Sequence, residues 1–294
     1  MKRYKDIAGD GGSDIVGQVT AQISRLNARM AQVRHKIAVM SGKGGVGKSI
    51  VTVNLAAALA QQSYRVGLLD ADLNGPSLDK MLGVGNQILE IGEHGLLPAI
   101  GPLGIKMITI ALLLPREETP VVWKAPAPQG AFVWRGAMEV SVLREFLTDT
   151  DWGALDYLLI DLPPGADRLP NMAELLPDLC AIAITIPSGV AHITVKKSIT
   201  LAQDSNVPLL GLIENMVGYC CQECGAMGSL FPEAGMPKDL GIPCLGKIPF
   251  DPRISLCVDQ GVPFVLEWGD SPAGQAFIKI AEHIQVLAER ISRG

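Results

Sequence analysis

A short glycine-rich segment carries the residue types that bind phosphates. It consists of Gly42, Lys43, Gly44, Gly45, Val46, Gly47, Lys48 and Ser49. The spacing G-x-x-x-x-G-K-S follows an apolar stretch that predicts a strand and precedes a stretch that predicts a helix. Glycines let consecutive backbone N–H groups face a polyphosphate, while the last lysine reaches the β- and γ-phosphates and the serine hydroxyl binds Mg²⁺. We therefore predict a nucleoside-triphosphate site here, with a plain glycine-rich turn as the alternative.

Three carboxylates follow two other apolar segments that predict strands. Asp70 and Asp72 come at the end of one segment, and Asp161 ends another. Ligands bind at the carboxyl ends of the strands in open parallel sheets, so all three side chains are expected beside the phosphate segment. We predict that Asp70 and Asp161 lie near Mg²⁺ and that Asp72 orients or activates an attacking water. The alternative is that these carboxylates only cap polar turns.

Three of the six cysteines lie close together, at Cys220, Cys221 and Cys224. A C-x-x-C pair on a glycine-containing turn can place the thiolates of Cys221 and Cys224 on one metal. Tetrahedral zinc and a four-iron cluster each need about four ligands. The other two ligands therefore come either from cysteines elsewhere in the same chain or from a second subunit. We expect the remaining thiols to be incidental and buried: Cys180, Cys244 and Cys257.

The composition limits the classes of protein to which the chain can belong. Its 294 residues are 48% hydrophobic and 19% charged, with a net charge of −5, which favours a large folded core over disorder. No run approaches the roughly 18 consecutive apolar residues of a membrane span, and the start of the chain lacks the apolar region of a secretory signal. We expect a cytoplasmic protein with no membrane partner. An acidic chain without a concentrated positive face also argues against nucleic acid as a partner.

The alternation of apolar segments and helical patterns predicts the fold. Predicted strands span residues 37–40, 66–70, 105–110, 157–161, 181–186, 209–214 and 245–248, and predicted helices span residues 49–62, 139–148, 192–204 and 273–292. Continuous apolar runs are typical of strands that are covered on both faces. The sequence therefore predicts an α/β fold with a doubly wound, mostly parallel sheet. Two stretches rich in glycine and proline, residues 84–104 and 114–135, are predicted to be excursions from it.

Taken together, the motifs resemble the Mrp/ApbC family of P-loop ATPases, the iron–sulfur cluster carriers of bacteria and archaea. The matching blocks are residues 41–49 (S-G-K-G-G-V-G-K-S), 70–77 (D-A-D-L-N-G-P-S), 134–136 (W-R-G), 161–165 (D-L-P-P-G) and 215–216 (N-M), and Cys221 with Cys224. With the α/β pattern they extend over residues 36 to about 285. The loop K-G-G-x-G-K-S also resembles the deviant Walker A loop of the MinD, ParA and nitrogenase iron protein class.

The resemblance implies an ATPase that uses ATP and Mg²⁺ and transiently holds a 4Fe-4S cluster. By this resemblance the cluster is bridged between the subunits of a homodimer by Cys221 and Cys224 of each, and it is transferred to apo iron–sulfur proteins. Lys43 is then the signature lysine that reaches the nucleotide of the partner subunit, with Lys43, Lys48 and Asp72 as the catalytic residues. Asn215 is expected to contact the adenine.

The sequence pattern also predicts the domain organisation. Residues 1–34 are predicted to form a tail and an amphipathic helix, and residues 35–294 a P-loop ATPase domain with its C-x-x-C segment at 215–225. Ser13 is a candidate cap for the helix. We favour docking of this helix on its own domain over a role in dimerisation, because it has few apolar positions at helical spacing. They are Val19, Ile23, Leu26, Met30 and Val33.

The chain departs from the family pattern, and two rival functions stay open. Residues 163–167 read P-P-G-A-D where the family has P-P-G-T-G-D, which predicts slow hydrolysis, and residues 124–132 are an apparent insertion. One rival is a positioning ATPase of the MinD/ParA type, which a C-terminal amphipathic membrane helix would favour. The other is a nucleotide switch in which the cysteine pair holds structural zinc.

Overall fold

A computed structural model describes residues 15–114, 119, 121, 131–165, 167–220, 224, 226–231 and 240–293. Its strands are β1 (Val33–Ser41), β2 (Val66–Asp70), β3 (Ile91–Gly92), β4 (Gly95–Leu96), β5 (Ala99–Ile100), β6 (Lys106–Ile108), β7 (Leu155–Asp161), β8 (Leu179–Thr185), β9 (Leu209–Cys220), β10 (Met227–Gly228) and β11 (Cys244–Phe250). Its helices are α1 (Ile15–Met30), α2 (Lys48–Gln61), α3 (Leu78–Met81), α4 (Ala131–Asp149), α5 (Leu169–Leu175), α6 (Gly189–Asp204), α7 (Arg253–Gln260), α8 (Phe264–Glu267) and α9 (Pro272–Arg293).

One large sheet organises the chain. Its strands run in the order β11-β9-β8-β1-β7-β2-β6-β5, and the pairs from β11 to β6 are parallel. β5 is antiparallel to β6, and β10 pairs antiparallel with the end of β9. The prediction of a doubly wound, mostly parallel sheet is confirmed. Because β7 lies between β1 and β2, the register places Asp161 beside Val39 of β1 and opposite Asp70 of β2.

Hydrophobic clusters cover both faces of the sheet. One joins the sheet to α2, α7, α8 and α9, and the other joins it to α1, α4, α5 and α6. α2 is buried along most of its length, including Leu55 and Leu59, and this explains why its sequence is apolar on every side. Burial of each such leucine contributes about 1.5–3 kcal/mol to the free energy of unfolding. The helix that begins at the phosphate segment is therefore held rigidly under the sheet.

Several predicted boundaries are wrong. α4 begins at Ala131, well before the predicted start at 139, so the W-R-G block at 134–136 lies on this helix. β6 ends at Ile108 because the side chain of Thr109 then accepts a hydrogen bond from the N–H of Ala111 and starts a 3₁₀-helix. β9 continues past residue 214 to Cys220 by pairing with β11. Most of the predicted excursion at 114–135 lies outside the described residues.

The N-terminal helix packs on the domain through its second half. α1 contacts α4, and Leu26 and Met30 are buried in the cluster on that face of the sheet. Val19 and Ile23 are about half exposed, at 49% and 50%. Val33 begins β1, so its predicted place on the helical face is wrong. The proposed cap Ser13 lies outside the described residues.

The C-terminal helix also packs on the sheet. α9 contacts β11 and α2, and its apolar side chains Phe277, Ile280 and Ile284 are buried. The apolar positions of this helix are therefore explained by packing against the protein itself. None of the helices in the described ranges is long and apolar enough to cross a membrane.

Candidate functional site

The phosphate segment forms the turn between β1 and α2 at the carboxyl edge of the sheet. Gly45 and Gly47 have φ values of +79° and +81°, a conformation that L-residues with side chains rarely adopt. A Cβ on Gly42 would lie 2.3 Å from the backbone carbon of Thr194, because α6 packs directly against the segment. The glycines are thus required by backbone conformation and by close packing. The turn presents the N-terminus of α2, the favourable end of a helix for an anion.

Asp161 is the centre of a buried polar cluster at this turn. Its Oδ2 accepts from Lys48 Nζ at 2.5 Å and from Ser49 Oγ at 2.6 Å, and its Oδ1 accepts from Thr52 Oγ1 at 2.7 Å. Lys48 is 7% exposed and Asp161 is 1% exposed. The predicted residues Lys48, Ser49 and Asp161 therefore converge. The carboxylate and the serine hydroxyl supply the hard oxygen donors that Mg²⁺ prefers.

Asp70 lies opposite Asp161 on the neighbouring strand and is also buried. Its carboxylate accepts hydrogen bonds from the loop that follows β2 and from the residue directly after β6. The donors are the N–H groups of Asp72, Ser77 and Leu78 and the hydroxyl of Thr109, at 3.1–3.4 Å. Burial, assisted by the charge of Asp161, raises the pKa of Asp70 to about 7. In this arrangement Asp70 fixes the path of the loop that carries Asp72.

The other two predicted catalytic residues lie in the loops that follow β1 and β2. Asp72 is half-buried, and its Oδ1 accepts from the N–H of Gly75 at 3.2 Å. Lys43 is also half-buried, and its carbonyl accepts from Ser41 Oγ at 3.0 Å. Among the described residues Lys43 Nζ has no ion-pair partner. Lys43 is thus part of the phosphate turn, and Asp72 lies in the loop that Asp70 holds.

Asn215 connects β9 to the phosphate turn. Its Nδ2 donates to the carbonyl of Val46 at 2.9 Å, and its side chain is 6% exposed. The next residue, Met216, has a φ of +57°, which is strained for a residue with a long side chain. The Nδ2 of Asn215 lies 2.4 Å from where a Cβ on Gly47 would be. The middle of β9 is thus fitted closely against the loop that would hold a nucleotide.

The C-x-x-C segment follows β9 in the sequence, and its described cysteine, Cys224, lies between β9 and β10. Cys220 pairs with Met227, and Tyr219 pairs with Gly228, so the C-x-x-C segment connects β9 to β10. Cys224 is exposed, and its thiol is free. Cys221 lies outside the described residues, and so does the side chain of Cys220. The hairpin presents Cys224 to solvent, where a partner can reach it.

The other thiols are placed away from this turn. Cys180 and Cys257 are buried as predicted, and burial raises the pKa of both, that of Cys180 to about 12. The prediction that Cys244 is buried is wrong, because it is exposed at the start of β11. Cys244 pairs with Leu212, eight residues before Cys220 on β9, which corresponds to roughly 26 Å of strand. Along β9, Cys244 is therefore placed well away from the strand end that precedes Cys224.

Comparison with known proteins identifies the family. A family model described as NUBPL iron-transfer P-loop NTPase, of the ParA group, matches residues 32–285. The chain belongs to this family. It is 42% identical over 277 residues to an iron-sulfur cluster carrier protein of Saccharolobus solfataricus, with 92% of this chain and 90% of that protein covered. It is 43% identical over 268 residues to a protein of the same description from Methanocaldococcus jannaschii, with 90% and 88% covered.

Solved structures agree with this assignment to the iron-transfer P-loop NTPases. A nucleotide-binding protein of Archaeoglobus fulgidus, solved in complex with ADP, is 33% identical to this chain and has a TM-score of 0.69. The alignment covers 82% of this chain and 92% of that one. The fold, the phosphate turn and the family thus agree on a nucleotide-binding protein.

Two residues of this site were not predicted from the sequence. Thr52 is one, although it lies four residues after Lys48 on the first turns of α2 and therefore shares a helical face with it. Thr109 is another, and its contact with Asp70 depends on the pairing of β2 with β6. Spacing along the helix could have identified Thr52. No local signal identifies Thr109.

The two left-handed glycines of the turn allow a matched test of the Asn215 contact. Gly45→Ala is expected to lower the free energy of unfolding by roughly 1–2 kcal/mol, because alanine resists this conformation and nothing else lies within 4 Å of its Cβ. Gly47→Ala has the same strain and also displaces Asn215 from Val46, a loss of about 1 kcal/mol more. Urea unfolding of the nucleotide-free variants measures the difference. Equal losses would show that the Asn215 contact contributes nothing.

Proposed function

We propose that the protein is an ATP-dependent carrier of iron–sulfur clusters that works as a homodimer. It binds and slowly hydrolyses ATP with Mg²⁺, holds a 4Fe-4S cluster as its cargo between two subunits, and transfers the cluster to apo-proteins. The names of its relatives support the cargo, and the Asp161 cluster supports the nucleotide chemistry. The rival positioning function has less support, since the apolar side of α9 is buried in the protein.

One observation carries this proposal: strand β9 touches both sites. Asn215 contacts the phosphate turn, and the strand ends at Cys220, directly before the cysteine pair. The five residue steps from Asn215 to Cys220 correspond to roughly 17 Å of strand. A displacement of the phosphate turn when nucleotide binds would therefore be passed along β9 to the cysteines. Such a link is what an ATP-dependent carrier requires.

The phosphate turn is suited to triphosphate chemistry. In the proposed complex the backbone N–H groups of residues 42–49 surround the phosphates, and the ammonium of Lys48 leaves Asp161 to contact the β- and γ-phosphates. Ser49 and Asp161 then hold Mg²⁺, which neutralises phosphate charge. The fit is good because both oxygens already converge within hydrogen-bonding distance. Asp70 stays close to this ion and keeps the following loop in place.

Hydrolysis requires an oriented water, and the loop after β2 is suited to provide it. Asp72 is the proposed group that orients or activates the water, since it lies on a loop pinned by Asp70 beside the turn. The segment after β7 is bonded to β1: the N–H of Gly165 donates to the carbonyl of Ser41 at 3.0 Å. The P-P-G residues are therefore held beside the strand that leads into the phosphate turn. This segment is held in place and lacks the threonine of the family pattern. We therefore expect the protein to hydrolyse ATP slowly.

Two subunits complete the proposed cluster site. Each chain offers two thiolates, those of Cys221 and Cys224, and a 4Fe-4S cluster needs four. The place of Cys244 beside Leu212, far along β9 from Cys220, makes it a poor candidate for a third ligand from the same chain. Lys43 contributes to the same dimer by reaching the nucleotide of the partner subunit, and Asn215 contacts the adenine. A cluster held at an interface is labile because subunit motion changes the geometry of its ligands.

Cluster transfer tests this function directly. Reconstituted protein is mixed anaerobically with the apo form of a four-iron enzyme, and recovery of that enzyme's activity is followed with and without Mg-ATP. We expect recovery that depends on Cys221 and Cys224 and changes in rate with Mg-ATP. Recovery no faster than with free iron and sulfide would contradict a carrier function. If Mg-ATP leaves the rate of recovery unchanged, the proposal that transfer depends on ATP is wrong.

A further inference from the structure

A buried carboxylate on α4 connects the two loops that flank the phosphate turn. Glu139 is 3% exposed. Its Oε1 accepts from Arg135 Nε at 2.8 Å and from Asn74 Nδ2 at 3.1 Å, while its Oε2 pairs with Arg168 Nη2. These partners come from three separate parts of the sequence. A single side chain therefore joins α4, the loop after β2 and the segment after β7.

Each of the two loops bears directly on the proposed nucleotide site. Asn74 lies two residues after Asp72, in the loop that Asp70 holds by its backbone. Arg168 lies seven residues after Asp161, at the start of α5, and Gly165 of the same segment is bonded to the strand before the phosphate turn. The Glu139 contacts therefore link the segment that begins at the proposed Mg²⁺ ligand to the segment that carries the proposed water-orienting carboxylate.

Ion pairs strengthen the contacts of Glu139. Two guanidinium groups, those of Arg135 and Arg168, meet one carboxylate, and both burial and the charge of Arg135 lower the pKa of Arg168. Without Glu139 the half-exposed guanidinium of Arg135 and the more buried one of Arg168 would lie near each other without a counter-charge. If either loop withdrew, the buried carboxylate would lose one of its partners. Neither loop can therefore leave this cluster without penalty to the other.

We propose that Glu139 is a positioning residue that makes the loop after β2 and the segment after β7 move as one unit. This inference rests on the proposed ATP hydrolysis, since it concerns how the loop after β2 and the segment after β7 keep their relative positions at that site. An apolar side chain of similar size would fill the same place on α4 but would leave Arg135 and Arg168 without their shared counter-charge. Unlike an apolar side chain, the carboxylate of Glu139 forms a specific bond to each of the two loops.

Hydrogen exchange of the nucleotide-free protein tests the coupling. In Arg168→Met the N–H groups of Ser77 and Leu78, which Asp70 holds in the other loop, are expected to exchange roughly threefold faster or more. In Asn74→Ala the N–H of Gly165 is expected to respond in the same way. The control is Arg65→Met, which breaks the exposed ion pair between Arg65 and Asp156 near the opposite ends of β2 and β7. It is expected to change neither segment.

Turnover provides the second readout. Glu139→Gln is expected to lower kcat for ATP by about tenfold while KM changes less than about twofold, because orientation is lost and binding is kept. Combining Asn74→Ala with Arg168→Met is expected to lower kcat little further than either alone, since one break already uncouples the loops. Fully multiplicative effects, or exchange that changes only in the loop bearing the substitution, would overturn the proposal. If the wild type hydrolyses no ATP, the proposed function fails, and exchange still decides the coupling.

Discussion

Lys48→Met is expected to lower the rate of ATP hydrolysis by roughly 10²–10³-fold, since it removes the ammonium that would contact the developing charge on the phosphates. The same substitution is expected to destabilise the nucleotide-free protein. Lys48 Nζ lies 2.5 Å from Asp161 Oδ2, and both groups are buried. Removing only the lysine leaves an unpaired buried carboxylate, which costs about 3–5 kcal/mol of unfolding free energy.

A double variant separates the two effects. In Lys48→Met with Asp161→Asn the buried charge is removed, while the amide oxygen of residue 161 can still accept from Thr52. We expect this variant to recover most of the lost stability and none of the hydrolysis. Steady-state ATPase assays and urea unfolding of both variants measure the two quantities. Hydrolysis near the wild-type rate in Lys48→Met would contradict the assignment of the phosphate site.

The sequence predicts those parts of the site that depend on short spacing. Lys48 and Ser49 are fixed by the phosphate motif, and Asp161 follows from the rule that ligand-binding side chains lie at the carboxyl ends of parallel strands. The sheet itself is predictable because its strands are continuous apolar runs that need cover on both faces. Hydrophobic periodicity and a few glycines are thus enough to locate the phosphate turn.

Contacts between distant segments are not predictable in this way. Glu139 reads as an ordinary surface position on a helix, and its burial depends on the arginine and asparagine brought to it by two loops. Asp70 was expected beside Mg²⁺, and the sequence gives no sign that its carboxylate holds the backbone of the next loop. The extension of β9 to Cys220 is hidden by Asn215 and Gly218, which read as the end of a strand. Contacts between segments that are distant in the sequence determine the burial of Glu139, the role of Asp70 and the length of β9.

Replacing the cysteine pair is expected to have the second large effect. In Cys221→Ala with Cys224→Ala the homodimer loses all four proposed thiolate ligands, so a bridged cluster has no remaining attachment. The fold should be little changed, because Cys224 is exposed on a hairpin turn. Far-ultraviolet circular dichroism and ADP binding at wild-type levels serve as controls for folding. Cys244→Ala is the matched control, since it removes an exposed thiol far from the hairpin.

The most direct test of the central claim is the amount of iron, sulfide and zinc bound after anaerobic reconstitution. We predict about four irons and four sulfides per dimer in the wild type and in Cys244→Ala, with visible absorbance of an iron–sulfur cluster. The double variant Cys221→Ala/Cys224→Ala is predicted to bind neither. If the wild type takes up no iron, if the double variant retains it, or if zinc fills the site instead, the protein does not carry a cluster on this cysteine pair.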